Sequence, residues 1–305
     1  MIDPRAKEIA GLQVMLLAVG VIGVSMSGPL IAAATAVPAL AMSFWRSGLA
    51  ALAMAPTGLT RYRAELLALP RREVVRSCFA GVMLATHFAA WTAALKLTSV
   101  ASATAIVCLQ AAWVVVLTRL DGARVARRVW IGVGVALAGV VVVSGVDFSV
   151  STRALTGDAL ALVGGVFSAV YVIVGGRVRG QASTTTYTLI CYSASAAVLL
   201  IACLAAGAQF TGFSARSWLL IVAVTLAAQL LGHSVFNHLL ATMSPTLVSM
   251  CILLEVPGAA LLAAVFLGQA PPIAVYGGLA LICGGLAIVV SAQEEREVPA
   301  GAPVG

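Results

Sequence analysis

Arg46, His87, His233, Asn237 and Glu255 are polar side chains set in long apolar stretches, where each could hold a proton, an ion or a polar solute. Glu255 is the only charged residue between Arg216 and Glu294. It follows Pro245 by ten residues, roughly 15 Å along an α-helix. A carboxyl group held that deep in an apolar medium can take up and release a proton near neutral pH. The packing alternative is a neutral Glu hydrogen-bonded to a neighbouring helix. Pro257 removes a backbone donor and frees a carbonyl one turn earlier, which suits a gating bend. Arg46 lies at nearly the same depth on another segment. Three roles are open to it: an ion pair with Glu255, a planar fork for a substrate carboxylate, or an anchor reaching outward to the interface.

The histidines are proton carriers by their ordinary chemistry, although a lone His in an apolar helix more often only packs. His87 and Trp91 are one turn apart on one helix face, near the Arg46 layer. His233 and Asn237 share a face of a later helix, and their position along it places them deeper. Gln110, Tyr171 and Tyr192 are further candidates to line a cavity, and Trp45 is suited to a cavity wall or an interfacial aromatic belt. The spacings offer no metal-ligand set and no phosphate-cradling loop. No catalytic residue, cofactor or metal is therefore expected, and an enzyme is disfavoured. The six cysteines read as small buried hydrophobes.

These residues must be positioned by membrane-spanning helices. Hydrophobic residues make up 61% of the 305-residue chain and charged residues only 10%, against about 25% charged in soluble domains. Several charge-free runs are long enough for two spans of about 20 residues each. Splitting them at Pro, Gly and polar clusters predicts ten helices, near 11–30, 39–57, 75–95, 99–118, 128–146, 157–176, 185–205, 217–239, 245–267 and 272–291. With the N-terminus cytoplasmic, 14 of the 18 Lys and Arg fall on the inner side and three on the outer. Both termini are then cytoplasmic in a plasma (inner) membrane. The net charge of +7 marks that inner face, and no nucleic-acid partner is inferred from it.

The chain also reads as one unit written twice. Gly132 and Gly139 correspond to Gly278 and Gly285, and Gly11 to Gly157. Thr98-Ser99 corresponds to Met243-Ser244, which sets Gln110 opposite Glu255. Five helices per unit is an odd number, so the second copy enters the membrane upside down. The fold class expected is an all-α integral membrane protein of ten transmembrane helices in two inverted five-helix repeats (5+5). The divisions are a tail over 1–10, repeats over 11–146 and 157–291, an outer linker over 147–156, and a disordered tail over 292–305. Inverted repeats are typical of secondary transporters.

Phe44-Trp45-Arg46, Ala94-Leu95, Thr98-Ser99-Val100-Ala101, Gly157-Asp158, Gly232-His233-Ser234-Val235-Phe236-Asn237 and Leu254-Glu255-Val256-Pro257-Gly258 together resemble the drug/metabolite transporter superfamily, and within it the EamA-type transporters. The resemblance runs from about residue 11 to 291. It implies a small-molecule substrate (a metabolite, amino acid or drug) carried by alternating access, export rather than uptake, and optional proton coupling. It leaves room for a homodimer within the lipid bilayer. The chain departs from the family pattern at Ala112, where Pro is common, and at Gly268-Gln269, where an acidic residue is common. The first departure is expected to remove a kink from the first half. The competing class is a passive channel or a non-transporting membrane scaffold.

Overall fold

The computed structural model describes residues 4–144, 151–267 and 273–297, and these contain helices and turns without strands. The first half runs through α1 (Pro4–Ser25), α2 (Ser27–Ala33), α3 (Ala39–Thr60), the short α4 (Arg63–Ala68) and α5 (Arg71–Ala94). It continues with α6 (Val100–Val107), α7 (Gln110–Leu120) and α8 (Arg127–Ser144). The second half comprises α9 (Thr152–Arg179), α10 (Thr184–Ala205), α11 (Ala215–Val224), a π-helical segment (Thr225–His233) and α12 (Ser234–Leu239). It ends with α13 (Pro245–Ile252), α14 (Glu255–Leu267) and α15 (Ile273–Glu297). The helix α15 thus runs into the stretch expected to be a disordered tail.

Six described stretches are long and apolar enough to cross a membrane: Gly11–Ala33, Arg71–Ala94, Ser102–Leu120, Thr152–Arg179, Thr184–Ala205 and Ala215–Leu239. The apolar stretches Pro245–Ala259 and Tyr276–Ala292 are shorter. The stretch Pro245–Ala259 runs through the break between α13 and α14, as Ser102–Leu120 runs through the one between α6 and α7.

Local chemistry sets the helix starts. Ser99, Ser151, Ser183, Ser214 and Ser244 each stand in extended conformation, and each side chain accepts from the backbone N–H three residues on. Such a cap stabilises a helix by about 1 kcal/mol. The caps Ser99 and Ser244 open two copies of one motif. Helices α6 and α13 have eight residues each. Both are followed by a two-residue break, after which α7 opens on Gln110 and α14 on Glu255. From the caps to the starts of α7 and α14, each boundary recurs at an offset of 145 residues.

The break in the first half corrects an expectation. Ala112 is not Pro, yet the helix is interrupted at Cys108–Leu109. Tightened turns produce the break there: Leu109 N donates to Ile106 O, and Ala111 N to Cys108 O. In the second half Val256 N donates to Leu253 O in the same way. That is the carbonyl Pro257 cannot reach.

At the matched glycines, α8 packs along α15. A Cβ at Gly132 would strike the carbonyl of Gly285, and one at Gly139 the carbonyl of Gly278. Gly132 corresponds to Gly278 and Gly139 to Gly285, so the contacts are exchanged between equivalents, as a two-fold relation requires. Without a hydrophobic drive between helices in lipid, close backbone approach at small residues holds such pairs. Glycines also seat the helices around the centre. Gly164 lies against His87 and Trp91, Gly165 against Val107, and Gly23 against Ala227 of the π-helical segment. Four of the six cysteines are buried as expected, but Cys78 is half-buried and Cys283 is exposed on α15.

Candidate functional site

A small cavity of about 40 Å³ lies between the halves. It has room for about two or three water molecules, well below the roughly 300–1,000 Å³ of sites that enclose drug-sized ligands. Its wall is drawn from α1, α2, α5, α6, α7, α9, α12, α13 and α14, with His233 at the end of the π-helical segment. The site expectations converge here: His87, Trp91, Gln110, Tyr171, His233, Asn237 and Glu255 all line it. Gln110 and Glu255 reach it from the first residues of α7 and α14, so the two broken helices present equivalent positions to one space. Gln110 Oε1 accepts from Ser168 Oγ of α9. Among the described residues Glu255 makes no hydrogen bond or ion pair, and it is the only formally charged residue on the wall.

One side of the wall is aromatic. His87 stacks on Trp91 with ring centroids 6.2 Å apart and planes 8° apart. His87 and His233 are 6.3 Å apart, and Tyr171 lies 6.2 Å from His233. The rings of His233, expected at a deeper position along its helix, and His87 thus share one stretch of wall. His87 Nδ1 lies 2.9 Å from the carbonyl of Gly164. A carbonyl only accepts, so Nδ1 carries the proton.

Behind the wall a hydrogen-bond relay crosses four elements. Tyr171 OH donates to Asn237 Oδ1 (2.8 Å), and Asn237 Nδ2 donates to Tyr192 OH (3.3 Å). Tyr192 OH is 3.0 Å from Ser234 Oγ, which donates to the backbone carbonyl of Gln229 (3.1 Å). With its own proton committed to Gln229, Ser234 accepts from Tyr192. Tyr192 is thus a member of the relay and not of the wall. Gln229 and Ser234 belong to the π-helical bend and its exit. π-Helical turns are uncommon and cluster at functional sites.

The relay ends at Arg46. Gln229 Oε1 accepts from Arg46 Nε at 3.0 Å. The guanidinium carbon sits 3.8 Å above the Phe88 ring, and Arg46 is fully buried. Burial rules out the outward-reaching anchor. The ion pair with Glu255 is not formed either: the two charges interact electrostatically, but Arg46 Nη1 and Nη2 have no hydrogen-bond partner.

Two other expectations fall elsewhere. Pro257 lines a separate apolar groove with Val21, Ser25 and Leu261. Trp45 donates from Nε1 to Phe210 O (2.6 Å) and packs against Phe44 and Trp218. The departure at Gly268-Gln269 and the outer linker up to residue 150 lie outside the described residues.

Sequence reasoning missed Phe88, Ser168, Gln229 and Ser234. The signal for Gln229 was present: it is a polar residue at membrane depth, one turn before His233. Phe88 carried none, because its role depends on where Arg46 lands.

Comparison with known proteins agrees with this architecture. The family model described as the EamA-like transporter family matches twice, over residues 11–145 and 155–291. Among solved structures, one titled only as the crystal structure of a protein superposes with a TM-score of 0.75. It is 21% identical, with 94% of this chain and 99% of that chain covered, a likeness of fold. No curated protein matches.

Proposed function

Because the chain belongs to the EamA-like transporter family, we propose that it is a ten-pass secondary transporter moving small metabolites, amino acids or drugs by alternating access. The two inverted five-helix repeats enclose the cavity, and Glu255 couples transport to protons. The observation that carries the reading is the pair of equivalent broken helices that bring Gln110 and Glu255 to one cavity. Discontinuous helices meeting at a repeat interface are the usual construction of a transport site.

The ends of the molecule support alternate closure. Near the basic end, Leu240 and Pro245 press on Gly176, and Arg177 pairs with Asp121. Toward the other end, Lys96 Nζ donates to the Ala34 carbonyl at 2.7 Å, and Arg153 holds the Lys96 carbonyl. In the orientation favoured by the basic residues, the first end is cytoplasmic, both termini are cytoplasmic, and the membrane is the plasma (inner) membrane. Export is the direction the family resemblance favours. The test is an untargeted comparison of metabolites in spent medium from cells with and without the gene. Accumulation of one chemical class outside expressing cells is the expected result. No difference under any growth condition would favour a scaffold.

A further inference from the structure

Arg46 and Gln229 lie side by side, and among the described residues the two NH₂ groups of the guanidinium lack an acceptor. Both are fully buried. Arg46 Nη1 and Nη2 have no hydrogen-bond partner, and Gln229 Nε2 has only the Tyr192 hydroxyl near it, without a full hydrogen bond. All three are NH₂ groups, which only donate. Turning the Gln229 amide over does not help, since it would set an NH₂ against the Arg46 Nε–H and lose the 3.0 Å bond. The groups around the guanidinium are Phe88 of α5, Tyr171 of α9, Tyr192 of α10, and His87, His233 and Glu255 of the cavity wall. The Phe88 face attracts the cation, but cation–π contact offsets only part of the cost of burying an unpaired charge. The relay through Ser234 and Tyr192 holds Gln229 by its backbone, and the Tyr192 hydroxyl is the one relay group near its amide NH₂.

We infer that Arg46 and Gln229 form a buried binding site for a monovalent anion, either a carboxylate group or an inorganic ion such as chloride. The planar guanidinium fork matches a carboxylate in two-pronged fashion. Two aromatic rings stand between the cavity and the guanidinium. His233 is on the wall, packs edge-on against Phe88 at 5.2 Å, and Phe88 carries the guanidinium. An occupant that is itself the transported solute would be anionic, and to that extent the inference rests on the transporter reading. Binding is measured without transport, so the two can fail separately.

The full-length protein is placed in lipid nanodiscs in sodium HEPES, whose anion is too bulky for the site. Sodium acetate or sodium chloride is titrated at constant ionic strength, and the unfolding temperature and tryptophan fluorescence are followed. The wild type should show a saturable rise in unfolding temperature with at least one of the two anions. Response to acetate alone assigns a carboxylate, and response to chloride assigns a simple inorganic ion. Arg46→Met should weaken apparent binding by about 10- to 100-fold, the loss expected for hydrogen bonds to a charged group. Gln229→Glu supplies the missing acceptor from within. It should unfold at a higher temperature than wild type without added anion, and should no longer respond to either salt. This variant decides the matter even if Arg46→Met fails to fold. A wild type that responds to neither anion, or a Gln229→Glu protein that responds as wild type does, would overturn the site.

Discussion

The side chain with the most stringent surroundings is Arg46. Its Nε holds Gln229 Oε1 and its plane lies on Phe88. Lysine keeps the charge but has neither the planar fork nor the flat face that stacks. Arg46→Lys should therefore lower transport in reconstituted vesicles by more than about tenfold, the loss of one strong charge-assisted hydrogen bond. Equal rates for the two proteins would reduce Arg46 to a packing role. The sequence revealed that Arg46 is costly where it is, because charge in an apolar helix is visible from composition alone. It did not reveal the partner. Depth along a helix can be counted, but rotation about its axis depends on neighbours. Arg46 and Glu255 share a depth, yet the hydrogen bond goes to Gln229. His233 shows the same limit, since a π-helical turn changes the angle per residue and with it the layer the ring reaches.

At the scale of elements, glycine spacing was the most readable feature. The pairs Gly132 with Gly139 and Gly278 with Gly285 reported a repeat, and they meet in space with exchanged contacts. Gly139→Leu should force α8 from α15, since its Cβ would meet the Gly278 carbonyl and the side chains of Leu281 and Ile282. A cost of about 1–3 kcal/mol is typical of overpacking. Gly134 lies on the same helix with nothing within 4 Å of an added Cβ. Gly134→Ala should be neutral or stabilise by up to about 1 kcal/mol through helix propensity. The unfolding temperature of each variant in detergent checks the contrast. Similar losses in both would mean that α8 and α15 are not held by glycine contact. Helix breaks were less readable. Pro257 announced one, but its counterpart at Cys108–Leu109 has no proline and arises from three-residue turns that composition does not encode. The serine caps Ser99 and Ser244 were the better clue, because they fix the register from which both breaks are counted.

For the whole molecule, the distribution of basic residues makes an independent prediction. Once the native cysteines are replaced, a cysteine beside Arg153 should react with an impermeant thiol reagent added to intact cells. One beside Arg124 should not. Labelling of both, or the reverse order, would contradict the inverted ten-pass arrangement. The membrane class and the two repeats were legible because they are averages over many residues, 61% of them hydrophobic. The cavity is a property of the assembled halves, so only its polar members could be nominated in advance.

The central claim is that the cavity between the repeats carries solute with Glu255 as the proton carrier. Glu255→Gln keeps the shape and hydrogen-bonding capacity of the side chain but cannot titrate. The most direct measurement is flux of the identified solute in proteoliposomes, with and without an imposed pH step, for wild type and Glu255→Gln. The account predicts that the wild type accelerates with the step, and that Glu255→Gln ignores it while still exchanging solute for solute. A variant that responds to the step as the wild type does would contradict the assignment of Glu255, and a wild type indifferent to the step would contradict proton coupling itself.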